Sequence, residues 1–178
     1  MELRRKIYNR MLKWKQEDAG STALLLEGAR RVGKSHIAEA FGKGEYKTYL
    51  LIDFSNISRQ VLDVFENDFT DYDTFFNKLS VFYGVKLFVR ESLIIFDEVQ
   101  MYPKARQMIK HLVADGRYDY LETGSLITLK QNVEGIVLPS EEEHINMYPL
   151  DFEEFLWALG DEMTGPYMKI CFEQRKPM

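Results

Sequence analysis

Thr22-Ala23-Leu24-Leu25-Leu26-Glu27-Gly28-Ala29-Arg30-Arg31-Val32-Gly33-Lys34-Ser35 carries two readings that reinforce each other. Thr22 to Glu27 is almost continuously apolar, the pattern of a parallel strand covered on both faces. Gly28 to Ser35 then fits G-x-x-x-x-G-K-S, a phosphate-binding loop that leads from a strand into a helix. Each fixed residue has a physical task. Gly28 and Gly33 permit a tight turn and bring backbone N–H groups close to phosphate oxygens. Lys34 can reach the β- and γ-phosphates as a point charge. Ser35 can offer its hydroxyl to Mg²⁺. The helix that starts there points its positive end at the anion. The expected anion-binding set is therefore Gly28, Ala29, Arg30, Arg31, Val32, Gly33, Lys34, Ser35 and His36.

Beyond this stretch, apolar strands alternate with helices. Strands are expected at 46–54, 93–96 and 118–123, and a weaker one at 143–148. Helices are expected at 35–41, 58–65, 71–82, 103–114, 126–131 and 151–159. Asp71 and Asp73 suit a helix N-terminus, Pro103 suits a first helical position, and Asp151-x-x-Glu154 is a capping-box pattern before a Gly160 stop. Residues 2–17 place Leu3, Ile7, Met11 and Trp14 at helical spacing among charged residues, an amphipathic helix packed on the outside of the fold. The alternation implies an α/β fold with a parallel sheet and helices on both faces. In such sheets chemistry gathers where the strands end.

Leu93-Ile94-Ile95-Phe96 ends in Asp97-Glu98. Asp97 is placed to serve a metal ion, and Glu98 is then free to orient and deprotonate a water aimed at the γ-phosphate. A kinase, whose nucleophile is a substrate hydroxyl, has no need of the second carboxylate, so the pair points toward hydrolysis. The metal set is Ser35 with Asp97, and Mg²⁺ suits it, since that ion keeps several waters and uses few protein carboxylates. Tyr118 to Thr123 runs into Gly124-Ser125, where Thr123 or Ser125 could report on the γ-phosphate. The residues alone do not choose between these hydroxyls. The catalytic set is Lys34, Glu98, Thr123 and Ser125.

Composition narrows the alternatives. The 178 residues carry 23 Lys+Arg against 28 Asp+Glu, a net charge of −5, and a broad basic face for nucleic acid should lean the other way. The one cysteine cannot form an intrachain disulfide, and no Cys/His spacing resembles a zinc site. His36, His111 and His144 have no metal-ligand spacing. Glu141-Glu142-Glu143 reads as a solvated acidic loop. The aromatic stretch from Phe65 to Tyr83 has few interleaved basic residues, which favours packing over base stacking. No apolar run approaches the ~20 residues of a membrane span. The expectation is a reduced, cytoplasmic protein.

Four segments recur here in a fixed order: Gly28 to Ser35, Ile94-Ile95-Phe96-Asp97-Glu98-Val99-Gln100, Thr123-Gly124-Ser125, and Tyr148-Pro149-Leu150-Asp151-Phe152-Glu153-Glu154-Phe155-Leu156. Together they resemble the AAA-type P-loop ATPase domain of a large bacterial and archaeal family, whose N-terminal ATPase is followed by a long C-terminal region of poorly defined function. The resemblance reaches from the N-terminal helix to about Glu162. It implies a three-layer P-loop NTPase fold with a five-stranded, mostly parallel sheet. ATP and Mg²⁺ would be the cofactors, and hydrolysis would drive a switch in an attached or partner module. The same resemblance gives Gly28, Gly33, Lys34 and Ser35 the phosphate and Mg²⁺ roles, Asp97 the metal, Glu98 the water, and Thr123 or Ser125 the sensor. It also allows a homo-oligomer and a protein partner or further C-terminal domain. Residues 1–150 would form the core and 151–178 the start of a truncated C-terminal region. Relatives are commonly more than twice as long. Many carry a Gly-Arg pair before the Pro-Leu segment, where this chain has Gly135-Ile136, so a trans-acting arginine is unassigned and Arg117 is the one candidate. A nucleotide-binding interaction module with little turnover is the alternative.

Overall fold

The computed structural model describes residues 4–125 and 141–177. The expected helix at 126–131, the Gly135-Ile136 departure and Leu3 lie outside them. Five strands form one sheet in the order β2-β3-β4-β1-β5. They are β1 (Ala23–Gly28), β2 (Thr48–Asp53), β3 (Ser92–Asp97), β4 (Asp119–Ser125) and β5 (Glu142–Met147). Every neighbouring pair is parallel, as the apolar strands separated by helices require.

Side chains alternate across each strand, and the two apolar faces feed two cores. Leu24 and Leu26 of β1, Leu93 and Ile95 of β3, and Leu121 of β4 pack with Ile145 and Met147 of β5. Helices α1 (Ile7–Glu17) and α2 (Lys34–Glu45) cover that face through Ile7, Met11, Trp14, Ile37 and Phe41. Trp14 also donates from its indole nitrogen to the Thr22 hydroxyl at 3.1 Å, which ties α1 to the start of β1. On the opposite face Leu25, Ile52, Ile94, Phe96 and Tyr120 meet α3 (Arg59–Asn67), α4 (Tyr72–Tyr83) and α5 (Pro103–Asp115). Phe65, Phe75 and Phe76 are buried in this second core, with ring centroids 5.2 Å apart for Phe65–Phe75 and 5.1 Å for Phe75–Phe76. The aromatic stretch is thus packing, as its composition implied, although Phe82 is exposed. Full burial of such a side chain contributes about 1.5–3 kcal/mol.

Beyond β5 lie α6 (Phe152–Ala158) and α7 (Thr164–Glu173). Asp151 accepts from the Glu154 backbone at 2.9 Å and Glu154 returns a bond to the Asp151 N–H at 3.1 Å, completing the capping box. Leu156 is buried, while Phe152, Phe155 and Leu159 are exposed. Helical spacing marks a face, and nothing in it says whether the fold covers that face. One expectation needs correction: Glu142 is no solvated loop residue. It opens β5 with its side chain fully buried, gripped by the Arg106 guanidinium of α5.

Candidate functional site

β1 runs between β4 and β5, and the chain leaves it through Gly28 into the glycine-rich loop. The two fixed glycines serve different needs. A Cβ on Gly28 would lie 2.3 Å from the Met147 carbonyl oxygen on β5, so strand spacing excludes a side chain. Gly33 has φ +97°, which L side chains rarely adopt, and it caps α2. Arg31 also has a positive φ of 65°. The loop therefore turns sharply and hands over to the N-terminus of α2, where free N–H groups and the helix dipole favour an anion.

Lys34 is 4 % exposed, and its ammonium donates to the Ala29 carbonyl at 2.9 Å and the Gly28 carbonyl at 3.2 Å. Burial pulls it below the usual lysine range, against the opposing pull of Glu98 and Asp97. The Ser35 hydroxyl donates to Asp97 Oδ1 at 2.8 Å across 62 residues of sequence. The Thr123 hydroxyl donates to the same oxygen and accepts the Glu98 backbone N–H at 3.2 Å. Burial pushes the Asp97 carboxyl up. Hydrogen bonds from Thr123 and Ser35 draw it back, while Glu98 and Asp53 push in the same direction as burial. Loop, β3 and β4 thus converge on one buried carboxylate.

Thr123 is the hydroxyl that the fold brings to Asp97. Ser125 is buried and enters through its backbone, donating at 3.3 Å to the Gln100 side chain. Glu98 adopts a left-handed backbone, φ 54° and ψ 46°. A non-glycine residue there stores on the order of 1–2 kcal/mol, and such strain clusters at functional sites. Gln100, on the 3-10 turn Val99–Met101, donates to the Glu98 carboxylate, so one amide touches both Glu98 and Ser125. Sequence reading gave Gln100 no role, although it ends one of the segments that carry the resemblance. Arg117 precedes β4, at the sheet edge opposite the loop, in ion pairs with Asp115 and Asp73.

The donors around Asp97 fit Mg²⁺. Ser35 and Asp97 offer hard oxygens, and a cation would relieve a carboxylate that is buried beside Glu98 and Asp53. Among the described residues no group of three or more His, Cys, Asp or Glu side chains is arranged to hold a metal by itself.

On the other side of the loop opens a cavity of about 800 Å³, lined by Arg5, Tyr8, Arg30, Arg31, His36 and Trp157 among others. Ala29, Val32 and Gly33 also face it, so most of the expected anion-binding set borders this space. Arg5 was missed by sequence reading, hidden in an N-terminal run of charges. Its guanidinium donates to the Val32 carbonyl at 3.1 Å and the Tyr148 carbonyl at 2.6 Å.

Comparison with known proteins bears on the family and the fold. Residues 20–156 match a family model described as an AAA domain. Among solved structures, the chain resembles a closed-state reconstruction of Hsp104 with ATPγS and FITC casein, at TM-score 0.55 and 14 % identity. The match covers 87 % of this chain and 28 % of that one, so the chain corresponds to little more than a quarter of that protein. At such identity the likeness speaks for the fold alone. No curated protein sequence matches the chain.

Proposed function

The chain belongs to the AAA domain family, and from that premise we propose that it binds ATP with Mg²⁺ and hydrolyses it. The carrying observation is the Ser35–Asp97 hydrogen bond, which joins the phosphate loop to the acidic end of β3 at 2.8 Å. The nucleoside end of the ligand would occupy the 800 Å³ cavity beside the loop, whose volume is in the usual range for ligand pockets. Loop amides from Gly28 to Ser35 would cradle the phosphates. Lys34 would exchange its two loop carbonyls for β- and γ-phosphate oxygens, and its burial strengthens that charge contact. Ser35 and Asp97 would hold Mg²⁺, which when bound neutralises phosphate charge. Glu98 would orient the attacking water and take its proton, and Thr123 fixes the Glu98 backbone in place. Positioning and charge stabilisation would supply the rate enhancement.

Hydrolysis would act as a switch for a partner protein or a further domain, with residues 151–178 as the start of a C-terminal region. A homo-oligomer belongs to the same reading, as does a cytoplasmic location. Among the described residues no helix is long and apolar enough to cross a membrane. One observation favours a module that binds with little turnover: Gln100 already holds the Glu98 carboxylate that hydrolysis requires.

The test is ATP titration with and without Mg²⁺, with phosphate release read on the same sample. Lys34→Ala should abolish binding or turnover. Glu98→Gln should bind normally and stop hydrolysis. Parental turnover in Glu98→Gln refutes the role of Glu98, and binding without phosphate release in the parental protein selects the second reading.

A further inference from the structure

The N-terminal segment does more than lead into α1. Arg5 is nearly buried and reaches three partners from separate parts of the fold. Nη1 donates to the Val32 carbonyl inside the phosphate loop and Nη2 to the Tyr148 carbonyl just past β5, while Nε lies 3.3 Å from the Glu154 carboxylate as an ion pair without a hydrogen bond. The side chains of Arg5 and Glu154 are 9 % and 6 % exposed, so this is no loose surface pair.

Glu154 is itself fully committed. Its Oε1 accepts the Lys6 backbone N–H at 2.7 Å, and its Oε2 accepts the Asp151 N–H that closes the capping box of α6. The neighbouring Lys6 ammonium reaches Asp151 at 2.7 Å and Glu153 at 2.6 Å. The Arg4 guanidinium lies 4.4 Å from the ring centroid of Trp157. Residues 4–6 thus form a strap with the phosphate loop on one side and the first turn of α6 on the other.

We propose that Arg5 is a positioning residue: it fixes the backbone of the phosphate loop at Val32 and links that loop to helix α6 through Glu154. The proposal rests on the nucleotide reading above and adds a route by which occupancy of the loop is felt at the C-terminal helices. Two features favour positioning over direct contact with a ligand. Both terminal guanidinium nitrogens donate to backbone carbonyls, and Nε stands at ion-pair distance from Glu154. A planar fork that spans two carbonyls and a carboxylate also fixes geometry in a way a single ammonium cannot. Val32 is the right place to act, because the next residue is Gly33, whose φ of +97° sets the turn into α2.

The experiment compares the parental chain with Arg5→Gln, Glu154→Gln and the double variant by two readouts. The first is amide hydrogen exchange without nucleotide. Arg5→Gln should raise exchange at residues 29–33 and 152–158 together, and leave β1 and β3 at parental rates. The second is affinity for a fluorescent ATP analogue with Mg²⁺. Arg5→Gln should weaken it about tenfold, the weight of one charge-assisted hydrogen bond. Glu154→Gln should lose less, and the double variant should match Arg5→Gln, because Glu154 acts through Arg5. Should Arg5→Gln fail to fold, Arg5→Lys carries the test: it keeps the charge beside Glu154 but not the fork, and should still loosen 29–33. Exchange that rises in one segment, in neither, or throughout the chain overturns the proposal, as does a double variant that loses the sum of the singles. Were the parental chain to bind no analogue, the nucleotide reading would fall, and the exchange readout would still decide the strap.

Discussion

Gly28→Ala separates two explanations for the first glycine of the loop. If Gly28 serves only the approach of phosphate, alanine should weaken nucleotide binding and leave stability untouched. The structure says otherwise. The added Cβ would sit 2.3 Å from the Met147 carbonyl oxygen and 3.2 Å from its carbon, and the obstacle is backbone that no rotamer can move. Ordinary contact begins at 3.4 Å, so β1 and β5 must part by about 1 Å where they meet. Gly28 and Met147 form the last rung of that ladder. Overpacking against a close-packed neighbour costs about 1–3 kcal/mol, and a backbone obstacle puts this case in the upper half. With a urea slope of about 2 kcal/mol per molar, the midpoint should drop by roughly 1 M. Gly33 is the internal control. A Cβ there meets nothing closer than 3.6 Å, so only its φ of +97° resists substitution. Asparagine tolerates left-handed backbone better than alanine does, so Gly33→Asn should be milder than Gly33→Ala. At position 28 the order reverses, because asparagine is larger. Urea unfolding of the four variants reads both orders, and a Gly28→Ala midpoint equal to the parental one refutes the spatial argument.

Thr123→Val keeps the branched shape but removes the hydroxyl that donates to Asp97 and accepts from the Glu98 N–H. Turnover should fall at least about tenfold with nucleotide affinity nearly kept, and stability should drop by about 1–2 kcal/mol, since two buried groups lose a partner. Equal turnover in a phosphate-release assay would show that Thr123 only fills space. At the far edge of the sheet, His144 contacts Glu142 and Glu27. The Glu142 hydrogen bond raises its pKa above the ordinary 6.5, against burial and with further help from Glu27. Its contribution to stability is therefore full below pH 6.5 and is lost as pH rises through the folded-state value. Glu122 on β4 has the same sign, since burial and then Glu142 push its carboxyl well up, while Arg106 stays charged throughout. The thermal midpoint of the parental chain should lose ground to His144→Asn as pH rises above 6.5. A gap between the two that stays constant across that rise removes His144 from the account.

The elements legible in the sequence are those whose causes are local. Thr22 to Glu27 reads as a strand because its apolar residues find cover on both faces, and Asp151 reads as a cap because its partner is three residues away. Glu142 was misread because its cause is distant. Between Glu141 and Glu143 it looks like one of three surface acids, and only the fold sets Arg106, 36 residues back, against it. Arg5 was hidden by its neighbours in the same way, since Arg4, Arg5 and Lys6 look alike until one is found nearly buried against the phosphate loop.

The choice between Thr123 and Ser125 shows the same limit inside the site. Which residue neighbours Asp97 depends on strand parity and register. Parity is visible in a sequence when one face of a strand is polar. Here β3 is buried at all six positions and β4 at all seven, so neither strand reveals which residues share a face. The ladder supplies what composition lacks. Phe96 pairs with Glu122, so the next rung sets Asp97 beside Thr123, while Ser125 lies one pleat further and opposite Gly28. Leu121 and Leu26 belong to the core under α2, and Thr123 pairs with Leu26 in the β1–β4 ladder. The hydroxyl of Thr123 therefore emerges on the face from which Ser35, at the start of α2, reaches down to the same carboxylate oxygen. A slip of one residue in that ladder would turn Thr123 toward α5 and leave Asp97 with a single donor. The buried, featureless character that makes these strands easy to recognise is what conceals the hydroxyl that meets Asp97.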